Sequence, residues 1–561
     1  SRSSAASDVY KRQGYGNPSK IGIHGTSTNA LLNYATIDLS DGLNYGIVNG
    51  GPVNNYRNIT LSNTHNGSVG VKSNGFTNDD SARINVSGSW GNLIGVDSAN
   101  SATLNSGSVT VNGGNNGANT GIRSATGGIT VGQGSSVTVT GDYYNQGVHS
   151  ADGQVTVKGS VTVTGSNGNG VLNTANTAAN ASISVNTGAV TANGSYNNAL
   201  YSLKGSIDVD RGTITVKDGN YNNAVYAPEN GVNVHNGSTI NIGTNNTNHN
   251  NNGVNLVKTS VINSITNTGF NINSDSSIGI RVEESGTSTT VSDNRFYIGS
   301  SGNHVSNSVG VYVAPGKEII GVSGNSTTSY GSRNTGILVS SYAANQGKAS
   351  SISGGSHTIH GTYSNGIELD TQESTSISDT TFNVYGSHST GLVAGKTYST
   401  VAPMPQLTVA GTTFNVHGGD NNSTSALYIH NVDKTIINAQ TLFHIDNTST
   451  GIELDNNGYN TANVREIEFN GVPSFTGGSN SVTMVLGRKT ADTYTKMGDN
   501  NIGINIINGS FGTNSSKRSI KFGKYLDIYV ESDKNTLINN QAFAEKKKSL
   551  ALNIALSHVR D

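Results

Sequence analysis

The sequence predicts an all-β fold, a right-handed parallel β-helix of about 18 coils with a short strand and helix cap at its C-terminal end. Three observations predict it. The composition is polar but weakly charged, a short anchor recurs along the chain, and apolar residues alternate with polar ones between anchors.

Composition comes first, because so polar a chain must choose between disorder and a fold of many short strands. Hydrophobic residues make up 33% and charged residues only 12%, with 72 Gly and 7 Pro. Disordered chains combine high charge with high Pro content, and both are scarce here. The β-branched residues also sit in ordered alternation, as in Ser136-Val-Thr-Val-Thr140.

The anchor is a small residue followed by an apolar one. It stands at Gly22-Ile23, Gly46-Ile47, Gly70-Val71, Gly95-Val96 and Gly121-Ile122, and recurs through Ala199-Leu200, Gly310-Val311 and Gly451-Ile452 to Ser481-Val482. Seventeen steps from Gly22 to Ser481 give a mean period of about 27 residues. One period, from Gly121 to Gly141, holds three strand-length pieces separated by Gly and Ser turns. Leucine-rich repeats need Leu at fixed places, and helical repeats need a 3.6-residue spacing. Stacking each strand on its copy one coil later satisfies the observed alternation.

In the third strand of each coil, alternation assigns an inward pair. It runs through Val137/Val139, Val161/Val163, Ile214/Val216, Ile240/Ile242, Phe270/Ile272, Phe296/Ile298, Phe382/Val384, Phe414/Val416 and Phe443/Ile445. The core is thus expected to pass from Val to Phe along the chain. His357 aligns with the Phe column and reads as a core histidine holding a hydrogen bond, rather than as a ligand.

In the first strand, the residue after each anchor points outward. Lys72, Asp97 and Arg123 would form a charge ladder there. Further on, Leu172, Tyr201, Tyr226, Arg281, Tyr312 and Leu338 make a candidate binding stripe, since Tyr and Arg are enriched at recognition surfaces. The β-propensity of an exposed strand accounts for the same residues without a binding role.

Chemistry-bearing patterns are few. Glu368/Asp370 and Glu453/Asp455 repeat in a Gly-Ile-Glu-Leu-Asp string, but the strings are three coils apart, too far for a glycosidase pair. Nucleophile-elbow, zinc-protease and phosphate-loop motifs are absent. The expectation is a non-catalytic protein with no catalytic or metal residues and no cofactor. A net charge of −2 gives no electrostatic case for nucleic acid. Cysteine is absent, which suits a chain exported unfolded through an oxidising compartment.

The expected organisation is a leader at 1–13 that breaks the pattern, a β-helix at 14–515, and a C-terminal cap or linker at 516–561. Lys524–Val530 reads as a last strand and 541–559 as a helix, with Phe543, Leu550 and Ile554 at helical spacing.

Runs such as Gly128-Ile-Thr-Val-Gly-Gln-Gly-Ser-Ser-Val-Thr-Val-Thr-Gly141 and Tyr221-Asn-Asn-Ala-Val-Tyr226 resemble the passenger domains of Gram-negative autotransporters of the type V secretion class. The resemblance spans the coils from Gly22 to about residue 510 and is one of repeat style. It implies export through a C-terminal outer-membrane barrel, which is not among these 561 residues. It also implies display on the cell surface or secretion, and work as an adhesin or stalk that meets a host-cell or neighbouring-cell surface protein or glycan. A β-helical polysaccharide lyase or hydrolase and a phage tailspike-like fibre are the alternatives.

Overall fold

The computed structural model describes residues 19–454 apart from 115–116, 258–260, 284–288, 343–344, 396–402, 418–423, 431, 439 and 447–448. Beyond 454 it describes the strand backbones at 466–470, 474–477, 482–486, 502–506, 519–522 and 536–540. The chain divides into two compact units, Ser1–Ile280 and Arg281–Asp561. Each is a stack of parallel coils with three strands to the coil, and no helix occurs among the described residues. About 15 coils are stacked, slightly fewer than the 18 that the anchors suggest.

The anchors mark the first strand of each coil. In the first unit Ile23, Ile47, Val71, Val96, Ile122 and Val148 pair in parallel register, each with the next. The column continues through Val171, Leu200, Val225 and Val254. In the second unit it runs Val311, Ile337, Ile367, Leu392, Leu427 and Ile452. The register then pairs Ile452 with Met484, so the anchor read at Ser481-Val482 is displaced by two residues.

The small residue before each apolar one has a steric cause. A Cβ on Gly121 would stand 2.4 Å from Val137 Cγ1 and 2.5 Å from the carbonyl oxygen of Gly147. The first strand therefore meets the third-strand core and the next coil's backbone at the same point. Ala is accommodated at Ala199, Ala224 and Ala426, all fully buried.

The third strands carry the inward pairs as expected. From Val137 and Val139 through Ile240 and Ile242 in the first unit, the named residues are fully buried. Phe270 closes that series against Ile240. In the second unit Phe382, Phe414 and Phe443 stack with centroids 4.9 Å apart. The column between Phe296 and Phe382 passes through Thr327 and His357, which breaks the aromatic series.

The proposed last strand at Lys524–Val530 and the helix at 541–559 lie outside the described residues, as does the leader at 1–13. Parallel pairing continues past residue 515. Ser519–Phe522 pairs with Glu466–Asn470, and Thr536–Asn540 with Ile502–Ile506.

Candidate functional site

The corner between the third and first strands organises the surface. It places a residue of left-handed backbone ahead of a buried polar side chain, two residues ahead of the anchor. In the first unit the buried residues are Asn119, Asn145, Asn197, Asn222 and Asn251, none more than 1% exposed. Their carboxamide oxygens accept hydrogen bonds from the preceding coil. The backbone N–H of Leu93 donates to Asn119, that of Asn197 to Asn222 and that of Asn222 to Asn251, at 2.8–3.1 Å. In the second unit Asn334, Ser364 and Ser389 do the same for Ser308, Asn334 and Ser364. Each side chain thus satisfies a buried N–H that turns out of the sheet ladder at the corner.

The left-handed residue before it faces solvent. In some coils it is Asn, as at Asn250 and Asn307, and Asn tolerates this backbone well. In others it is Tyr144, Tyr196 and Tyr221 in the first unit, and Tyr363 and His388 in the second. Tyr196 and Tyr221 are 57% and 51% exposed and stack at 5.2 Å. Tyr363 stacks on His388 at 4.6 Å. A bulky aromatic in this conformation is strained, and the asparagine coils show that the fold does not need it.

A second aromatic row runs along the same corner of the second unit. Tyr330, His360, Tyr385 and His417 stack in sequence at 4.6, 5.0 and 4.6 Å, with ring planes within 13°. His417 Nδ1 lies 2.9 Å from Asp446. The rings cover one another's faces, so the row offers solvent its edges, with Tyr hydroxyls alternating with imidazole nitrogens. A signal for this row stood in the sequence as a recurring aromatic-Gly pair: Tyr330-Gly331, His360-Gly361, Tyr385-Gly386 and His417-Gly418.

The stripe read from the first strands pairs in register as expected but is partly covered. Its members fall into two sets, one in each unit. In the first unit Leu172 pairs with Tyr201 and Tyr201 with Tyr226, and the two tyrosine rings lie 5.6 Å apart. Leu172 is a correction: it is only 7% exposed and belongs to the covered surface. Tyr201 and Tyr226 are half-buried. Burial, with the charges of Tyr226 and Glu229, raises the Tyr201 hydroxyl above its ordinary range. In the second unit the Arg281 guanidinium sits 5.7 Å from the Tyr312 ring centroid while its Nε donates to Glu283 at 2.7 Å. Tyr312 pairs with Leu338, and both are half-buried.

The charge ladder forms between two of its three members. Arg123 grips Asp97 with two hydrogen bonds of 2.7 and 2.8 Å, and this carboxylate raises the Arg123 pKa further. Lys72 pairs with Asp97 in backbone register. His149, next to Arg123 in the column, is driven towards neutrality by burial and by that guanidinium.

The glutamates of the two acidic strings are each engaged by a neighbouring side chain. Glu368 accepts from Asn365 Nδ2 at 2.7 Å, while Glu453 is 3% exposed and accepts from Ser425 Oγ at 2.8 Å. Asp455 lies outside the described residues. Among the described residues no three His, Asp or Glu side chains gather as a metal site. No protein-family model matches the chain, and no curated protein matches it.

Proposed function

We propose that the chain is the surface-displayed or secreted passenger of a Gram-negative autotransporter. It acts as a non-catalytic adhesin or stalk, and its partner is a surface protein or glycan of a host or neighbouring cell. The observation that carries this reading is the exposed aromatic set on a polar solenoid. Tyr196 and Tyr221 hold a strained backbone where other coils use Asn, and each residue is more than half exposed. Strain kept at an exposed aromatic points to recognition rather than to folding. Tyr offers a large, amphipathic contact area for either class of partner.

The test has two parts. Bacteria carrying the complete gene should be labelled by antibody against this region without permeabilisation. Label only after permeabilisation contradicts surface display. A Tyr196→Asn/Tyr221→Asn protein should keep its β-rich circular dichroism and lose most of its adhesion. The same assay on Tyr201→Ala, Tyr226→Ala and Tyr312→Ala together asks whether the half-buried stripe contributes. Adhesion unchanged in both removes the aromatic surfaces from the account.

A further inference from the structure

In the second unit the third-strand core column runs Phe296, Thr327, His357, Phe382. The companion column runs Ile298, Ser329, Ile359, Val384. At one coil both apolar positions are therefore hydroxyl residues, and the next coil supplies an imidazole. All three side chains are buried, with Thr327 3%, Ser329 1% and His357 0% exposed. Thr327 Oγ1, Ser329 Oγ and both ring nitrogens of His357 nevertheless have no hydrogen-bond partner within the protein.

That is four unmet polar atoms in one stretch of core. Each costs about 1–3 kcal/mol if it stays unmet. The geometry brings two of them together. Thr327 Oγ1 and His357 Nδ1 each lie 2.8 Å from the point where a Cβ on Gly336 would stand. In flanking coils the same cradle is filled by carbon: Phe296 Cγ is 3.1 Å from that point on Gly310, and Phe382 Cδ1 is 2.7 Å from it on Gly366. Thr and Ser are smaller than the Phe and Ile they replace. The strands on either side stay paired in register, so the stack does not slip at this coil.

We propose that this coil encloses an internal water site, in which at least one ordered water bridges His357 to the Thr327 or Ser329 hydroxyl. The chemistry fits water. A buried water needs two to four polar partners. A neutral imidazole supplies one donor and one acceptor, and each hydroxyl supplies both. The two columns carry no charged residue across these coils, so a neutral occupant is matched and an ion is not.

A crystal structure of the full chain at neutral pH, at a resolution that shows ordered solvent, tests the site. The expected result is a water peak within hydrogen-bonding distance of a His357 nitrogen and of one of the two hydroxyls. An empty site overturns the proposal, and so does a direct hydroxyl–imidazole bond without water. A Thr327→Val/Ser329→Ala protein gives an independent reading, because it removes both hydroxyls without adding volume to the core. With a bound water it loses water partners for His357, and its urea midpoint falls. A dry core would be relieved of two unmet hydroxyls, so a midpoint that rises overturns the proposal.

Discussion

Single residues set the stability of the corner. The Asn222 carboxamide oxygen accepts from the Asn197 backbone N–H at 2.8 Å inside the protein, where water cannot replace it. Asn222→Ala should therefore cost about 1–3 kcal/mol, seen as a lower urea midpoint with an unchanged m-value. Asn223, whose side chain lies in a partly buried outward ladder, should cost less when changed to Ala. His357 sets a pH dependence. Burial holds its pKa down at about 4, against 6.5 for the free side chain. Above 6.5 the imidazole is neutral in both states and the fold keeps its full stability. As pH falls from about 6.5 to about 4, the unfolded chain takes up the proton first, so stability falls across that window. The full loss is on the order of 3 kcal/mol. His357→Phe, which restores the aromatic column, should show a smaller drop in urea midpoint between pH 7.5 and pH 4.5. An equal drop in both proteins would place the acid sensitivity elsewhere. His357 was legible as a core residue from its phase, but its missing hydrogen bond was not. That depends on Thr327 and Ser329 sharing its stretch of core, and neither residue announces itself in a Ser/Thr-rich sequence.

At the scale of elements, stacking does the work that long strands do in other β-proteins. The strands are short, and each gains by lying on a like strand one coil away. The Tyr330–His360–Tyr385–His417 row is the clearest exposed case, and aromatic pairs of this kind contribute about 0.5–1.5 kcal/mol each. Tyr385 stacks on both neighbours, so Tyr385→Ala should lose about 1–3 kcal/mol. Hydrogen exchange should become faster in the strands Ser356–Ile359, Thr381–Val384 and Thr413–His417. Faster exchange across the whole chain instead would mean that the row is not a local brace. The first-strand column was legible because the anchor fixes its phase, and the register bears it out at nearly every step. Its exposure was not legible. Leu172 follows its anchor like the tyrosines after it, yet it is buried. What covers an outward position is set by neighbouring residues and turns, whose placement a strand pattern does not contain.

For the molecule as a whole, a low-charge sequence with 72 Gly and no Cys builds its interior from repetition rather than from large side chains. Each coil buries a few β-branched or aromatic residues, worth about 1.5–3 kcal/mol apiece, and passes its open edge to the next coil. Polar columns follow the same rule, from the buried Asn33–Asn55–Asn78 ladder in the first unit to Asn383–Asn415 in the second. This is why the fold was readable from a 27-residue period while the left-handed Tyr196 and Tyr221 were not: a period reports what repeats, and these two stand where other coils carry Asn. The parallel register is the central claim, and spin labels test it most directly, since a chain without cysteine takes labels only where they are introduced. Thr138 and Thr162 are partners on adjacent coils, so they stand on strands about 4.7–4.9 Å apart. A Thr138→Cys/Thr162→Cys protein carrying two nitroxides should show strong dipolar broadening that each single variant lacks. A double-label spectrum equal to the sum of the two single-label spectra would contradict the coil register on which the whole account rests.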